Sequence, residues 1–139
     1  MSTTFPKASI STTGARALVA AAEAKAAAIG VPMCISICDE SGNLKAFSRM
    51  DGAALLSVQI AHDKAWTSAA FSVPTDGLYE FIKNDPPLVT GLPAVARVIV
   101  FGGGYPIQVD GQVVGGIGVS GGHYNQDMEV AQAGLAALT

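Results

Sequence analysis

Short turns between apolar segments constrain the fold of this chain more than any other feature of its sequence. Asp110 and Gly111, a pair that favours a tight hairpin turn, separate the apolar runs "YPIQV" and "QVVGGIGVSG". The runs "VPMCISICD" and "LKAFSRM" flank "ESGN", where Gly and Asn tolerate the positive φ of a tight connection. Antiparallel strands are joined by such turns, whereas parallel strands need long crossovers. The sequence therefore predicts a largely antiparallel sheet.

Helical patterns surround these strands. A first helix is predicted from Ser11 to Ile29, with Gly30 after it, and its apolar face contains Leu18, Val19, Ala22, Ala26 and Ile29. A second, from Ala53 to about Phe71, is apolar almost all round and should be covered by the sheet and by a neighbouring subunit. A short helix near Thr75 leads into a Pro/Gly-rich loop, and a last helix runs from Asn125, its predicted cap, to Leu138. With "RVIVFGGG" as a further strand, we expect one α+β domain over residues 1–139, with a five-stranded antiparallel sheet and helices packed on it.

Charge and composition limit the partners. Only 14% of residues are charged, against about 25% in soluble domains, which predicts burial between subunits of a homo-oligomer. The net charge is −3 without a basic cluster, so we expect no nucleic-acid partner. The N-terminal residues show no apolar signal core, and uncharged windows are interrupted by Gly and Pro, so a cytoplasmic protein that does not enter the membrane is expected.

The two cysteines share one predicted strand. Cys34 and Cys38 lie four residues apart, which separates them by roughly 13 Å on one face of an extended chain. A disulfide needs Cα atoms within about 7 Å. We therefore expect two unpaired core residues in a reducing compartment.

Glycine is concentrated in two strand segments. Gly116, Gly118 and Gly121 match G-x-G-x-x-G, but a dinucleotide site needs a second parallel strand and an acidic residue about 20 residues further on. The chain ends at Thr139, so no nucleotide is expected. Together with residues 102–104, these glycines predict a surface cleared of side chains. Either a flat ligand or a packed helix fills that surface.

Several segments together resemble one family: "RMDGA", "IAHDKAWTSAAFSVPT", "FGGGYPI", "DGQVVGGIGVSGG" and "QDMEVAQAGLAAL". They are similar to the GlcG/HbpS-like family, which includes the C-terminal domain of PduO-type proteins. The resemblance implies a profilin-like fold with a five-stranded antiparallel sheet and helices on both faces, and homo-oligomers. Several relatives bind haem, through a first-helix histidine or in some a threonine, and many others are encoded in catabolic gene clusters. Here no histidine precedes His62, whereas Thr67 lies in a shared motif.

Two histidines are the main candidate functional residues. His62 lies one turn from Val58 and Trp66 on the second helix, on its mixed polar and aromatic strip. A neutral imidazole there can ligate haem iron or act as a general base, or it can be a hydrogen-bonded structural histidine. His123 follows the glycine-rich strand and precedes the last helix, where it could contact an anionic ligand or be merely an exposed loop residue.

The remaining candidates have weaker signals. Asp127, like Glu129, is either a charge favourable to the dipole of the last helix or a catalytic carboxylate. Arg49 either pairs with Asp51 or anchors a carboxylate or propionate. The other candidates would lie at the edge of a site or on its cleared surface, and they are Lys64, Tyr105, Gly103 and Gly121. No Ser-His-Asp order or H-x-x-x-H spacing supports a hydrolytic metal site.

The sequence supports three alternative functions, of which the first two are the main ones. In the first, an oligomeric protein binds haem or another tetrapyrrole against the glycine-rich strands, with His62 or His123 near the iron. In the second, a small catabolic enzyme, an isomerase or hydrolase acting on a small organic acid, uses a histidine as acid or base, with Tyr105 or Asp127 assisting. In the third, the oligomer itself is the function, as a scaffold or chaperone. The sequence leaves open whether there is catalysis.

Overall fold

The computed structural model describes residues 1–138, which form five α-helices and four β-strands. In chain order these are α1 (Thr12–Ile29), β1 (Cys34–Asp39), β2 (Leu44–Arg49), α2 (Leu56–Phe71), α3 (Thr75–Ile82), α4 (Pro86–Gly91), β3 (Gly104–Val109), β4 (Gln112–Ser120) and α5 (Tyr124–Leu135). Short 3₁₀ helices follow α4 (Leu92–Ala94) and α5 (Ala136–Leu138).

The first helix has the ends that its sequence predicts. The Ser11 side chain accepts a hydrogen bond from the amide of Gly14, and Gly30 ends the helix with a φ of 74°. Its buried stripe follows the helical repeat and consists of Ala15, Leu18, Ala22 and Ala26. Full burial of a side chain such as Leu18 contributes roughly 2 kcal/mol.

Both predicted hairpins are confirmed. Asp39 Oδ1 accepts hydrogen bonds from the amides of Ser41 and Asn43, and Gly42 has a φ of 84°, which together form the turn between β1 and β2. Between β3 and β4, Asp110 and Gly111 have φ values of 52° and 77°. Positive φ at both central residues matches the right-handed twist of the flanking strands.

The antiparallel sheet has the strand order β2-β1-β4-β3 and carries helices on both faces. Ile35 and Ile37 of β1 and Ile117 of β4 pack with residues of α1 and α5. Cys34 and Cys38, which alternate with these isoleucines, pack instead with alanines of α2. Both cysteines are buried and unpaired, as predicted.

The prediction of a fifth strand is wrong. The segment 98–103 is irregular and forms no ladder along the sheet; only the carbonyl of Gly103 accepts a hydrogen bond from β4, from the amide of Val119. The Thr67 hydroxyl donates to the carbonyl of Arg97 and accepts from the amide of Ile99. Val98 packs with Leu78 and Ile82 of α3. An apolar run with β-branched residues thus serves as a buried connection, which periodicity does not distinguish from a strand.

Two further boundaries differ from the predictions. The expected Pro/Gly-rich loop contains α4, because the carbonyl of Asp85 accepts from the amides of Leu88 and Val89 and the prolines occupy its first turn. The cap of α5 is His123 and not Asn125. Within residues 1–138, no helix is both long and apolar enough to cross a lipid bilayer.

Candidate functional site

A helix, not a ligand, fills the surface cleared by the strand glycines. A Cβ atom placed on Gly116 would lie 2.2 Å from the carbonyl oxygen of Ala65, and one on Gly118 would lie 2.0 Å from that of Ala61. Both oxygens belong to the backbone of α2, so this helix rests directly on the strand. The packed-helix alternative is therefore confirmed at Gly116 and Gly118, where α2 leaves no room for a ring.

Beyond the packed helix, β4 ends at an open cleft of about 340 Å³. We call it the strand-end cleft; its lining includes Ser57, Phe101, Gly121, Gly122, His123 and Asp127. Gly121 has a φ of 142°, and a Cβ there would lie 2.8 Å from the carbonyl oxygen of Pro32. This predicted site residue is required by the turn that brings the chain from β4 into α5.

A buried ion pair supports the cleft. Lys64 is fully buried, and its Nζ donates to Asp127 Oδ2 at 2.9 Å and to the carbonyl of Val119 at 2.8 Å. Asp127 Oδ1 accepts from the amide of Gly122 at 3.0 Å. Burial raises the pKa of Asp127 and lowers that of Lys64, and the opposite charge of the partner offsets each shift in part. Of this pair, Asp127 lines the cleft and Lys64 lies buried beneath it.

Gly103 belongs to the same cluster. Its φ is 126°, and a Cβ there would lie 2.6 Å from Lys64 Nζ. The glycine thus makes room for the lysine head group under the sheet end. The ring centroid of Phe101 lies 5.0 Å from Lys64 Nζ, so a cation–π contact covers the pair.

His123 lines the cleft and caps α5. Its Nδ1 accepts a hydrogen bond from the amide of Asn125 at 3.1 Å, and Gln126 completes a capping box by accepting from the His123 amide. A neutral imidazole that accepts at Nδ1 carries its proton on Nε2. His123 is therefore a hydrogen-bond donor toward a ligand, at the positive end of a helix dipole.

His62 lies elsewhere, on the face of α2 next to the sheet edge. Its Nδ1 is 2.8 Å from Ser36 Oγ, and its ring centroid is 4.6 Å from that of Phe47. Burial lowers the pKa of His62, the nearby Arg97 guanidinium lowers it further, and Asp63 raises it in part. The imidazole is thus neutral at pH 7. His62 lines neither the strand-end cleft nor the second cleft described below.

Two other predicted residues, Thr67 and Arg49, are held by the fold itself. The Thr67 hydroxyl is occupied by the Arg97 carbonyl and the Ile99 amide. Arg49 donates through Nε and Nη2 to the carbonyl of Ala53, at 3.2 and 3.0 Å. Tyr105 lines neither cleft. Burial raises the pKa of its phenol, and the charge of Asp76 adds to that shift.

A second cleft, of about 590 Å³, shares Phe101 and Tyr124 with the first. We call it the aromatic cleft, because Tyr79 also lines it. Among residues 1–138, no three His, Cys, Asp or Glu side chains are grouped so that they could hold a metal ion.

The structure brings together four of the predicted residues and separates the rest. Gly121, His123 and Asp127 line the strand-end cleft, with Lys64 beneath it, whereas His62 lies at the sheet edge. Sequence reasoning missed Phe101, whose only signal was its position before "GGG". It also missed Ser36, a polar residue that lies on the same face of the strand as Cys34 and Cys38.

Comparisons with known proteins agree with this architecture. A family model described as "Haem degrading protein HbpS-like" matches residues 10–136. The corrinoid adenosyltransferase PduO of Salmonella typhimurium is 38% identical over 123 residues, which cover 87% of this chain and 36% of PduO. The chain thus spans about a third of the length of the curated PduO relatives it matches. The protein GlcG of Escherichia coli is 35% identical over 106 residues, which cover 76% of this chain and 77% of GlcG.

A solved structure extends the similarity to three dimensions. The crystal structure titled "PduOC:Heme Complex" superposes with a TM-score of 0.86 at 36% identity, and the match covers 93% of this chain and 94% of that one. The family model covers nearly all of the chain, and the sheet and helices correspond to those of a solved relative. The chain therefore belongs to the HbpS-like family, and it is similar to GlcG and to part of PduO.

Proposed function

We propose that this protein binds haem or a related tetrapyrrole, with His62 as the ligand of the iron. The observation that carries the proposal is a neutral, half-buried imidazole that is oriented by Ser36 and packed against Phe47. The similarity to a structure solved as a haem complex supports the choice of ligand class.

The hydrogen bond to Ser36 fits iron ligation. In the tautomer with its proton on Nδ1, His62 donates to Ser36 Oγ and leaves the lone pair of Nε2 free for a metal. His123 does not fit, because its Nδ1 is the acceptor of the α5 cap and its Nε2 carries the proton. Haem, when bound, supplies an iron centre for ligand or electron chemistry.

Neighbouring groups suit the rest of a tetrapyrrole. Ser36 pairs with Phe47, and Cys34 pairs with Arg49, across the β1–β2 ladder. Because alternate strand residues share a face, Phe47 and Arg49 lie on the same side of the sheet as His62. Phe47 offers an apolar contact for the ring. Arg49, which is exposed and spends two of its nitrogens on the Ala53 carbonyl, retains Nη1 for a propionate.

Titration with haemin, followed by absorbance, tests the proposal. We expect a saturable Soret band, lost or shifted in His62→Ala and weakened roughly tenfold in affinity in Ser36→Ala. His123→Ser is the matched control, since Ser retains an N-cap and removes the second imidazole. A Soret band that is unchanged in His62→Ala would refute ligation by this residue. Absence of saturable binding in the unmodified protein would refute the function.

We also infer a homo-oligomer. Three large apolar side chains are exposed: Leu55 (74%) and Leu56 (72%) at the start of α2, and Phe81 (79%) on α3. Because only 14% of the residues are charged, we infer that another copy of the chain covers this apolar surface. Sedimentation velocity should show a multimer that Leu55→Glu with Leu56→Glu dissociates. A monomer at about 50 µM, far above the dissociation constant of a stable dimer, would contradict the inference.

A second candidate function concerns the strand-end cleft: binding of a small organic acid. The observation that favours it is the proton on Nε2 of His123 at the N-terminus of α5, a neutral donor suited to a carboxylate. Both carboxylate oxygens of Asp127 accept hydrogen bonds, one from Lys64 Nζ and one from the amide of Gly122, so Asp127 is not free to act as a base in this cleft.

Nuclear magnetic resonance distinguishes binding from catalysis here. Small 2-hydroxy and 2-oxo carboxylates should shift the imidazole resonances of His123, and His123→Ser should abolish the shift while His62→Ala preserves it. Incubation in D₂O reports on catalysis, because an isomerase exchanges carbon-bound hydrogen of its substrate. Shifts without exchange indicate binding alone, and no shift with any carboxylate would refute this candidate.

A further inference from the structure

The strand-end cleft contains a charge of the wrong sign for an organic acid. Among the described residues that line it, Asp127 is the only Asp, Glu, Lys or Arg. Its side chain is 3% exposed, so water screens this charge little. A bare carboxylate in the wall of the cleft would repel the carboxylate of a ligand. The cleft can accept an anion only if another group cancels the charge of Asp127.

Lys64 cancels this charge from below the cleft. Its Nζ lies 2.9 Å from Asp127 Oδ2, and its side chain has no exposed surface. The carbonyl of Val119 accepts a second hydrogen bond from Nζ, and the ring of Phe101 covers the same group. Because the ammonium group is sealed from solvent, cations of the buffer cannot take its place. The ion pair therefore presents no net charge to the cleft.

Once the charge of Asp127 is cancelled, the remaining polar groups of the cleft favour an anion. His123 directs its Nε2 proton outward at the N-terminus of α5, and the dipole of that helix attracts negative charge. The selectivity of the cleft thus depends on a residue that does not line it.

We propose that Lys64 is a specificity-determining residue of the strand-end cleft, because its buried charge cancels that of Asp127 and so lets the cleft bind small organic acids. Lys64 acts through Asp127 and does not meet the ligand, so it is not a catalytic residue. The inference rests on the second candidate function and is independent of haem binding.

Lactate and its uncharged analogue lactamide test the proposal, with both dissociation constants measured from the imidazole resonances of His123. The unmodified protein should prefer lactate, and at pH 8 Lys64→Met should reduce this preference at least roughly tenfold. A purely structural role would weaken both ligands alike and leave the preference unchanged. Lys25→Met is the matched control, since it removes an exposed lysine paired with Glu129, and it should leave the preference unchanged.

A pH profile gives a second measurement on the same variant. Burial raises the pKa of Asp127 and Lys64 lowers it in part, so Lys64→Met raises it further. The lactate preference of Lys64→Met should therefore recover from pH 8 to pH 5, as Asp127 becomes protonated. The other titratable side chains of the lining are His123 and Tyr124, and comparison with the unmodified protein at each pH cancels their contribution.

An unchanged lactate preference in folded Lys64→Met, or a reduced preference that does not recover at pH 5, would overturn the proposal. If no small carboxylate shifts the unmodified protein, the second candidate function itself fails. Should Lys64→Met fail to fold, Asp127→Asn is compared with the double variant Lys64→Met and Asp127→Asn at pH 6. The single variant retains the buried positive charge and should bind lactate at least about threefold more tightly, whereas equal affinities would overturn the proposal.

Discussion

Replacement of Gly118 by Ala tests the contact between α2 and the sheet. The new Cβ would lie 2.0 Å from the Ala61 carbonyl oxygen and 2.5 Å from the Ala65 amide nitrogen. The first distance is about 1.4 Å short of ordinary van der Waals contact, and both atoms belong to a helix backbone that cannot rotate away. Overpacking costs typically 1–3 kcal/mol where side chains yield. We therefore expect a loss of about 3–4 kcal/mol.

Urea unfolding followed by circular dichroism measures this loss, which corresponds to a fall in Tm of roughly 10 °C for a domain of this size. Gly91→Ala is the matched control, because a Cβ at this position would meet no neighbouring side chain or distant backbone within 4 Å, and the φ of Gly91 is −86°. That control should change the free energy of unfolding by less than about 0.5 kcal/mol. If Gly118→Ala cost less than about 1 kcal/mol, the close packing of α2 on β4 would be refuted.

Three further predictions concern titratable groups. Asp127→Asn leaves Lys64 buried without its counter-charge and should cost about 3–5 kcal/mol in urea unfolding; the double variant with Lys64→Met should recover part of this, and no recovery would argue against the pair. The pKa of His62 is lowered in the folded state, so its contribution to stability is present above the ordinary value of 6.5 and is lost as the pH falls through the folded value. Stability should thus decline as the pH falls from about 7.5 through 6.5 and below, and less steeply in His62→Gln; parallel profiles would contradict this. Burial raises the pKa of Cys38 to about 11, so at pH 8 about one in 1,000 of the Cys38 side chains is a thiolate. Iodoacetamide should therefore label Cys38 slowly in the folded chain and fast in the urea-unfolded chain.

Local signals in the sequence predicted the elements that local interactions form. Ser11 and Gly30 end α1 through their own hydrogen bonds and dihedral angles. The turns at residues 39–43 and 110–111 depend on side chains and φ values within the turn. The failed prediction, a strand in segment 98–103, concerns a segment that Thr67, a residue far earlier in the chain, fixes at its start through hydrogen bonds to the Arg97 carbonyl and the Ile99 amide.

The candidate site shows the same division. The sequence singled out His62, His123 and Asp127 as residue types with useful chemistry, but gave no sign of which partners they meet. The capping bond assigns the proton of His123 to Nε2, and the Ser36 hydroxyl orients His62. Lysine is rarely buried, and the carboxylate of Asp127 and the carbonyl of Val119, both distant in sequence, make the burial of Lys64 tolerable.

The sequence by itself determined the antiparallel hairpins and the ends of α1, because each depends on residue identity within a few positions, and it determined the family through several segments taken together. The tertiary structure alone decided what lies on the glycine-rich strand. Glycine lets another group approach the backbone of β4 closely, and at Gly116 and Gly118 the backbone of α2 occupies that space, so no ligand can bind there. The possible binding sites therefore lie at the sheet edge and beyond the end of β4, where packing between distant segments leaves polar groups open to solvent.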